Sequence, residues 1–433
     1  MLFYFRSPAS VFTDIFTNYF LQRMKYLLIV LSFLPAGMLA AQTAKLRQTT
    51  YRGILYRQDG KEVVFTMDVK TEKGKPVFYV INDTEHLRVT DIKQTGDSLI
   101  FNMPVFESSF HTKIEKDGSL TGTWIKGTRG EPQYWPFTAI PGQSFRFKSS
   151  KATVKKSITG KWIVTFTNTN GTTEKALAIF KQSKNKLTGT FLTTTGDYRY
   201  LDGIVTNDSL QLSTFDGAHA YTFTAAVDDN NTISGGTYYF GPAGKQSWTA
   251  IKDNNAVIPE QESPTSLRKG ETGLNFAFND LNDKLVSLKD EQFKDKVVIV
   301  ELMGSWCPNC MDETKFLSAY YRKNKKRGVE VIALAYEYST DLQRSKASLE
   351  KFKTKFNIEY PVLITGVAVG DEKRTEKTLP QLTPIRSFPT TIILDKKGNV
   401  RDIQTVFYGP GTGEYYDQFL KGFNETVDKL LLE

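Results

Sequence analysis

The chain has 433 residues, 56 Lys and Arg against 47 Asp and Glu, a formal charge of +9 and 40% hydrophobic residues, enough for roughly two to four domains that each bury a core. Gly (31) and Pro (16) are too sparse, and aromatic residues at 13% too frequent, for a disordered or collagen-like chain. Cys307 and Cys310 are the whole thiol inventory, and His86, His111 and His219 are the only histidines, which excludes a scaffold stapled by several disulfides, a four-cysteine zinc site and a histidine-rich metal centre.

The first 41 residues read as a targeting segment. From Met24 the sequence has a basic start (Arg23, Lys25), an apolar stretch over 26–34, a Pro35-Ala36-Gly37 break and small residues Ala40 and Ala41 before Gln42. That is the layout of a cleaved secretory signal, with a retained anchor or a core segment as the alternatives; the stretch 1–23 reads as an upstream extension from a misassigned start. The apolar run over 26–41 falls short of the roughly 20 residues that span a bilayer. With no cysteine near the cleavage region, a lipid-anchored form is excluded. Removing 1–41 takes away three basic residues and one acidic residue and leaves +7. No basic run longer than 322–327 accompanies that charge, so nucleic-acid binding is not expected.

From 46 to 251 strand follows strand. Segments 63–69, 76–81, 98–102, 162–167 and 221–227 are rich in β-branched and aromatic residues, and turn chemistry such as Gln58-Asp59-Gly60 and Lys116-Asp117-Gly118 separates them. Spacing of this kind predicts an antiparallel barrel or sandwich. The region also repeats itself: Gly96-Asp97-Ser98-Leu99 answers to Asn207-Asp208-Ser209-Leu210, Leu120-Thr121-Gly122-Thr123-Trp124 to Ile233-Ser234-Gly235-Gly236-Thr237-Tyr238, and Trp135 to Trp248, at offsets of 111 to 114 residues. We read two copies of one β unit, 46–145 and 155–252. His111, His219, Trp124, Trp135 and Trp248 are candidates for lining a cavity in these units, although aromatic residues at strand spacing are usually core. No motif in them carries chemistry, and a substrate-docking or homodimerisation module is the expectation.

Residues 253–269 form a linker containing Pro259 and Pro264. Beyond it strands alternate with helices: strands at 297–303, 329–336, 361–364, 390–394 and 400–407, and helices at 311–325, 345–356 and 414–432. The fold class is therefore a β region followed by an α/β domain over 270–433.

The chemistry concentrates at Ser305-Trp306-Cys307-Pro308-Asn309-Cys310, between the strand 297–303 and a helix. C-x-x-C at a helix start places both sulfurs on the first turn, where free backbone N–H groups and the helix dipole favour a thiolate. Cys307, at the mouth of the turn, is expected to be the exposed nucleophile, and Cys310 the buried thiol that resolves the mixed disulfide. Pro308 suits the first helical position, which needs no N–H. Half of a zinc site and an inert disulfide are the alternatives; the first lacks further ligands nearby, and the second closes a loop too short to stabilise much.

These residues, with Lys296-Val297-Val298-Ile299-Val300, Gly328-Val329-Glu330-Val331-Ile332 and Phe388-Pro389-Thr390-Thr391-Ile392-Ile393-Leu394-Asp395 before Gly398, resemble the thioredoxin superfamily, and within it the exported bacterial oxidoreductases of the TlpA and ResA type. The resemblance covers residues 270–433. It implies a thioredoxin-like α/β fold and a thiol-disulfide oxidoreductase with no cofactor beyond the Cys307 to Cys310 pair. It also implies a cis Pro389 facing that pair, and a substrate groove of Trp306, Pro308, Phe388 and Pro389. Glu301 stands where thioredoxins keep a buried Asp that relays protons to the inner thiol and exported relatives often have Asn. Proton relay and a Glu snorkelling at a sheet edge are the two readings of Glu301. The function expected is reduction of protein disulfides in the periplasm or cell envelope, with a membrane electron donor restoring the thiols. An envelope ligand-binding or interaction protein serviced by its own redox domain is the alternative. A thiol peroxidase is disfavoured because Gly304-Ser305-Trp306-Cys307 replaces the T-x-x-C context.

Overall fold

The structure is a computed structural model that describes residues 44–148 and 154–433; the expected targeting segment lies outside them. Nine strands make the first β unit: β1 (Thr50–Tyr56), β2 (Glu62–Glu72), β3 (Lys75–Asn82), β4 (Glu85–Val89), β5 (Asp91–Thr95), β6 (Ser98–Asn102), β7 (Ser108–Ile114), β8 (Leu120–Lys126) and β9 (Gln133–Pro141). Their spatial order is β4-β3-β2-β1-β9-β8-β7-β6-β5. Because β1 pairs antiparallel with both β2 and β9, the sheet curls into a barrel-like shape whose opening lies between short β4 and β5. Alternation does the sorting: in β7, Ser108, Phe110, Thr112 and Ile114 point inward while Ser109, His111 and Lys113 do not. Phe110 meets Phe101, Trp124 and Phe137 inside. Trp124, Trp135 and Trp248 are all core residues with 3% exposure or less.

The second unit comprises β10 (Gly160–Thr167), β11 (Thr173–Ser183), β12 (Lys186–Thr193), β13 (Gly196–Asp197), β14 (Leu201–Val205), β15 (Ser209–Phe215), β16 (Ala220–Val227), β17 (Thr232–Phe240) and β18 (Gly244–Lys252). Its order is β11-β10-β18-β17-β16-β15-β14-β12-β13, and a further β11 to β12 pairing closes the ring. Segment 253–269 is irregular yet anchored at both ends. Ala256 packs with Leu177 and Leu192, the Thr265 hydroxyl donates to the Pro384 carbonyl at 3.0 Å, and Leu267 bridges to Leu382.

The third sheet contains β19 (Ala277–Asp280), β20 (Leu285–Ser287), β21 (Val297–Met303), β22 (Val329–Ala335), β23 (Val362–Ile364), β24 (Thr390–Leu394) and β25 (Val400–Gln404), in the order β20-β19-β23-β22-β21-β24-β25. β21, β22 and β23 are parallel, and β24 runs antiparallel beside β21. Helices α1 (Pro308–Asn324), α2 (Leu342–Phe356), α3 (Arg374–Thr378) and α4 (Glu414–Leu432) complete the unit. Central β21 is buried throughout. Its Val297, Ile299 and Met303 join Leu317 and Tyr320 of α1 and Phe423 and Val427 of α4, whereas Val298, Val300 and Leu302 join the opposite core. Two helices start earlier than the apolar pattern indicated. α1 begins at Pro308 because Cys307 caps it, and α2 begins at Leu342 because the Asp341 carboxylate accepts the N–H groups of Gln343 and Arg344. The last strand stops at Gln404 rather than 407, and the hairpin of β19 and β20 was too short and exposed to register as a pattern.

Candidate active site

β21 delivers the chain through Gly304 and Ser305 to the cysteine pair. Ser305 is held by Glu337, whose carboxylate accepts its N–H at 2.8 Å and its hydroxyl at 2.6 Å. Trp306 donates its indole N–H to the Tyr336 carbonyl at 2.8 Å and stacks on Tyr338. The loop is thus fixed before the helix begins. Cys307 is the N-cap of α1, with extended φ and ψ, and its sulfur accepts the Cys310 N–H at 3.2 Å. Pro308 occupies the first helical position. The two cysteines form a disulfide with Cα atoms 5.2 Å apart. An N–H aimed at Sγ from the positive end of a helix is the arrangement that stabilises a Cys307 thiolate once the bond is reduced.

The Phe388–Pro389 peptide is cis, and the Phe388 carbonyl oxygen lies 3.5 Å from Cys307 Sγ. Phe388 meets Trp306 edge to face. Cys307, Cys310, Trp306, Pro308, Phe388 and Pro389 therefore gather in one place. The expectation that Cys307 is exposed is corrected: only 4% of its surface is accessible, against 0% for Cys310. Val105, Phe106 and Ala218 of the β units belong to the apolar cluster that contains Cys307, Cys310 and Met311.

Glu301 is fully buried in the middle of the sheet, between β22 and β24, and so is not an edge residue. It belongs to the face that meets α1. Thr314 Oγ1 lies 2.5 Å from one carboxyl oxygen and the Tyr360 hydroxyl 3.2 Å from the other. Burial pushes its carboxyl up to about 7. Sequence reasoning missed a second acid. Glu313 lies one helical turn beyond Cys310, is 2% exposed, and has one carboxyl oxygen without a hydrogen-bond partner. Burial, and then the neighbouring Glu301, hold it well above the usual carboxylate range. The spacing Cys310, Glu313, Leu317 puts all three on the buried face of α1. Burial also pushes Glu337, beside Ser305, up to about 7.

Also missed was a charged seam between α1 and the β units. Asn309, inside the C-x-x-C, donates to Asp197 at 3.1 Å, and Asp197 also accepts the Gly409 N–H at 2.7 Å. Asp312, two residues past Cys310, accepts two hydrogen bonds from Arg199 at 2.8 and 3.0 Å. Arg199 is 4% exposed and also pairs with Glu85 and Asp216. One guanidinium therefore ties both β units to the active-site helix. Of the histidines, His219 lines a cleft together with Asp216 and Asn309, whereas His111 faces solvent. Among the described residues no three His, Cys, Asp or Glu side chains gather where they could hold a metal ion.

A family profile described as Redoxin matches residues 268–418. The thiol-disulfide oxidoreductase ResA of Bacillus thuringiensis subsp. konkukian is 32% identical over 152 residues, which is 35% of this chain and 76% of that protein. ResA of Bacillus subtilis is 26% identical over 151 residues, 35% of this chain and 73% of its own length. Among solved structures, a DsbF homologue from Corynebacterium diphtheriae aligns at 21% identity with a TM-score of 0.29, over 39% of this chain and 97% of that one.

Proposed function

The chain belongs to the ResA-type thiol-disulfide oxidoreductases of the thioredoxin superfamily, and on that premise we propose that it is an exported reductase of protein disulfides in the cell envelope. What carries the proposal is the Cys307 to Cys310 disulfide at the N-terminus of α1, with the Cys310 N–H on Cys307 Sγ and the cis Phe388–Pro389 loop against it. In the reduced protein the Cys307 thiolate attacks a substrate sulfur and releases the other as a thiol. Cys310 then attacks the mixed disulfide, frees the second substrate thiol and restores the internal bond. In this mechanism Glu301, on the α1 side of the sheet, accepts the Cys310 proton near neutral pH, with Glu313 of α1 beside it as a second buried acid. Each turnover oxidises the pair by two electrons, and in an oxidising compartment a membrane electron donor supplies them. The targeting signature ending near Ala41 supports export.

The β units serve, on this reading, to dock the substrate over the cysteines rather than to bind an unrelated ligand; their packing on α1 favours that role. Their origin in duplication is supported by the matching pattern in which β1 joins β2 and β9 while β10 joins β11 and β18. Reduction of insulin by the full chain, reduced beforehand and freed of reductant, tests the assignment. One equivalent of substrate disulfide should be lost per chain as the internal bond re-forms, and no loss would refute it.

A further inference from the structure

A cleft of about 360 Å³ opens beside the cysteine loop, and all three units contribute to it: Arg129 follows β8, Thr195 precedes β13, and Trp306, Arg374, Arg386 and Phe388 come from the redox domain. Three guanidiniums therefore surround one opening. None of the three forms an ion pair among the described residues, although 22 such pairs occur elsewhere. They are close enough to interact: burial lowers the pKa of Arg374 most, and Arg129 and Arg386 both lower it further against the opposing Tyr336 and Asp371. The Arg129 side chain reaches across to the backbone of Gly370. Arg374 spends two nitrogens on the carbonyls of Val369 and Ile385, lies over the Phe388 ring, and keeps a buried Nε without a partner. The nearby carboxylate, Asp371, is already engaged by Lys377.

Convergent cations that form no ion pair cost stability through mutual repulsion, and an anionic ligand relieves that cost. Trp306 and Phe388, which line the cleft, also flank Cys307: Trp306 precedes it in the chain and the Phe388 carbonyl lies 3.5 Å from its sulfur. A ligand in the cleft therefore touches residues that flank the attacking thiol. Resting on the reductase reading above, we propose that this arginine-lined cleft selects protein disulfides flanked by acidic residues, with Arg129 and Arg386 binding the flanking carboxylates. Arg129 makes the β units part of the specificity device. The exchange itself is balanced within the protein: the reduced pair gives two electrons to the substrate disulfide and becomes the internal disulfide.

The test is single-turnover reduction, with dithiothreitol-reduced and desalted full chain, of three disulfide peptides differing only in Glu, Gln or Lys beside the cysteine. The Glu peptide should react roughly tenfold faster than the Lys peptide at low salt, with the advantage collapsing near 1 M salt, where the Debye length is about 3 Å. In the double variant Arg129→Gln, Arg386→Gln, both side chains being exposed, the Glu-to-Gln rate ratio should fall toward one. Lys421→Gln, which removes a distant charge on α4, should keep the wild-type ratio. Equal rates for the three peptides, an unchanged ratio in the double variant, or an equal fall in the Lys421 variant would overturn the proposal. Glutathione disulfide reacting faster than the Glu peptide would overturn it in favour of a small anionic disulfide. Failure to reduce even the Gln peptide would instead refute the reductase reading.

Discussion

Two buried acids meet at one helix, Glu301 on the strand beneath α1 and Glu313 on α1 itself. Glu301 is raised to about 7 by burial, and Glu313 is raised by burial and by Glu301; on the proposed mechanism Glu301 is the base for resolution by Cys310. Glu301→Gln should slow resolution and flatten the pH profile above neutrality while leaving attack by Cys307 little changed; stopped-flow tryptophan fluorescence against pH measures both steps. A folded pKa above the unfolded value of 4.5 means that ionisation works against the fold. The stability Glu301 retains below pH 4.5 is lost as pH rises through about 7. The Gln variant should therefore gain on the order of 3 kcal/mol over wild type at pH 8 and nothing at pH 4. Denaturant titration at the two pH values decides it, and a gain independent of pH would mean that Glu301 does not titrate. For the cysteines, Cys307→Ser should abolish exchange and Cys310→Ser should trap mixed disulfides, visible as a mass increase equal to the substrate thiol. Preferential iodoacetamide labelling of Cys310 in the reduced protein would reverse these roles.

At the scale of elements, α1 was legible from its cysteines and its apolar spacing, and Glu301 stood out because it breaks an apolar strand. Glu313 was not, because a Glu on an amphipathic helix reads as a solvated residue until the sheet beneath it is known. Arg199 was invisible for a stronger reason: its partners Glu85, Asp216 and Asp312 lie up to 114 residues away, and no local period encodes such a meeting. The tie is testable. Arg199→Met leaves three carboxylates facing one another in a buried place, a loss of about 3–5 kcal/mol. The deficit should shrink as pH falls from 8 to 5, because protonation relieves the unpaired acids. Thermal unfolding across that range reads this out, and a deficit that does not change with pH would show that Arg199 matters through packing alone.

For the whole molecule, a strand-rich N-terminal region and a thioredoxin-like C-terminal domain were legible from the sequence, whereas the packing of the β units against the active-site helix was not. That packing depends on loop residues such as Val105 and Phe106, which precede β7 and carry no motif. It makes the β units part of the redox core rather than an appendage, because Phe106, 4% exposed, packs in the cluster that contains Cys307 and Met311. Glu107 reinforces it, accepting from Arg344 at 2.6 Å and from Ser348 at 2.8 Å on α2. Shared apolar burial couples unfolding, since neither side can open without exposing surface of the other. Phe106→Ala should therefore cost about 3–5 kcal/mol within a single calorimetric transition of the full chain. It should also speed iodoacetamide alkylation of Cys307 in the reduced protein, by exposing a sulfur that the wild-type packing covers. Two separate calorimetric transitions in the wild-type chain, or a Cys307 alkylation rate that Phe106→Ala leaves unmoved, would mean that the β units rest on the redox domain without governing access to it.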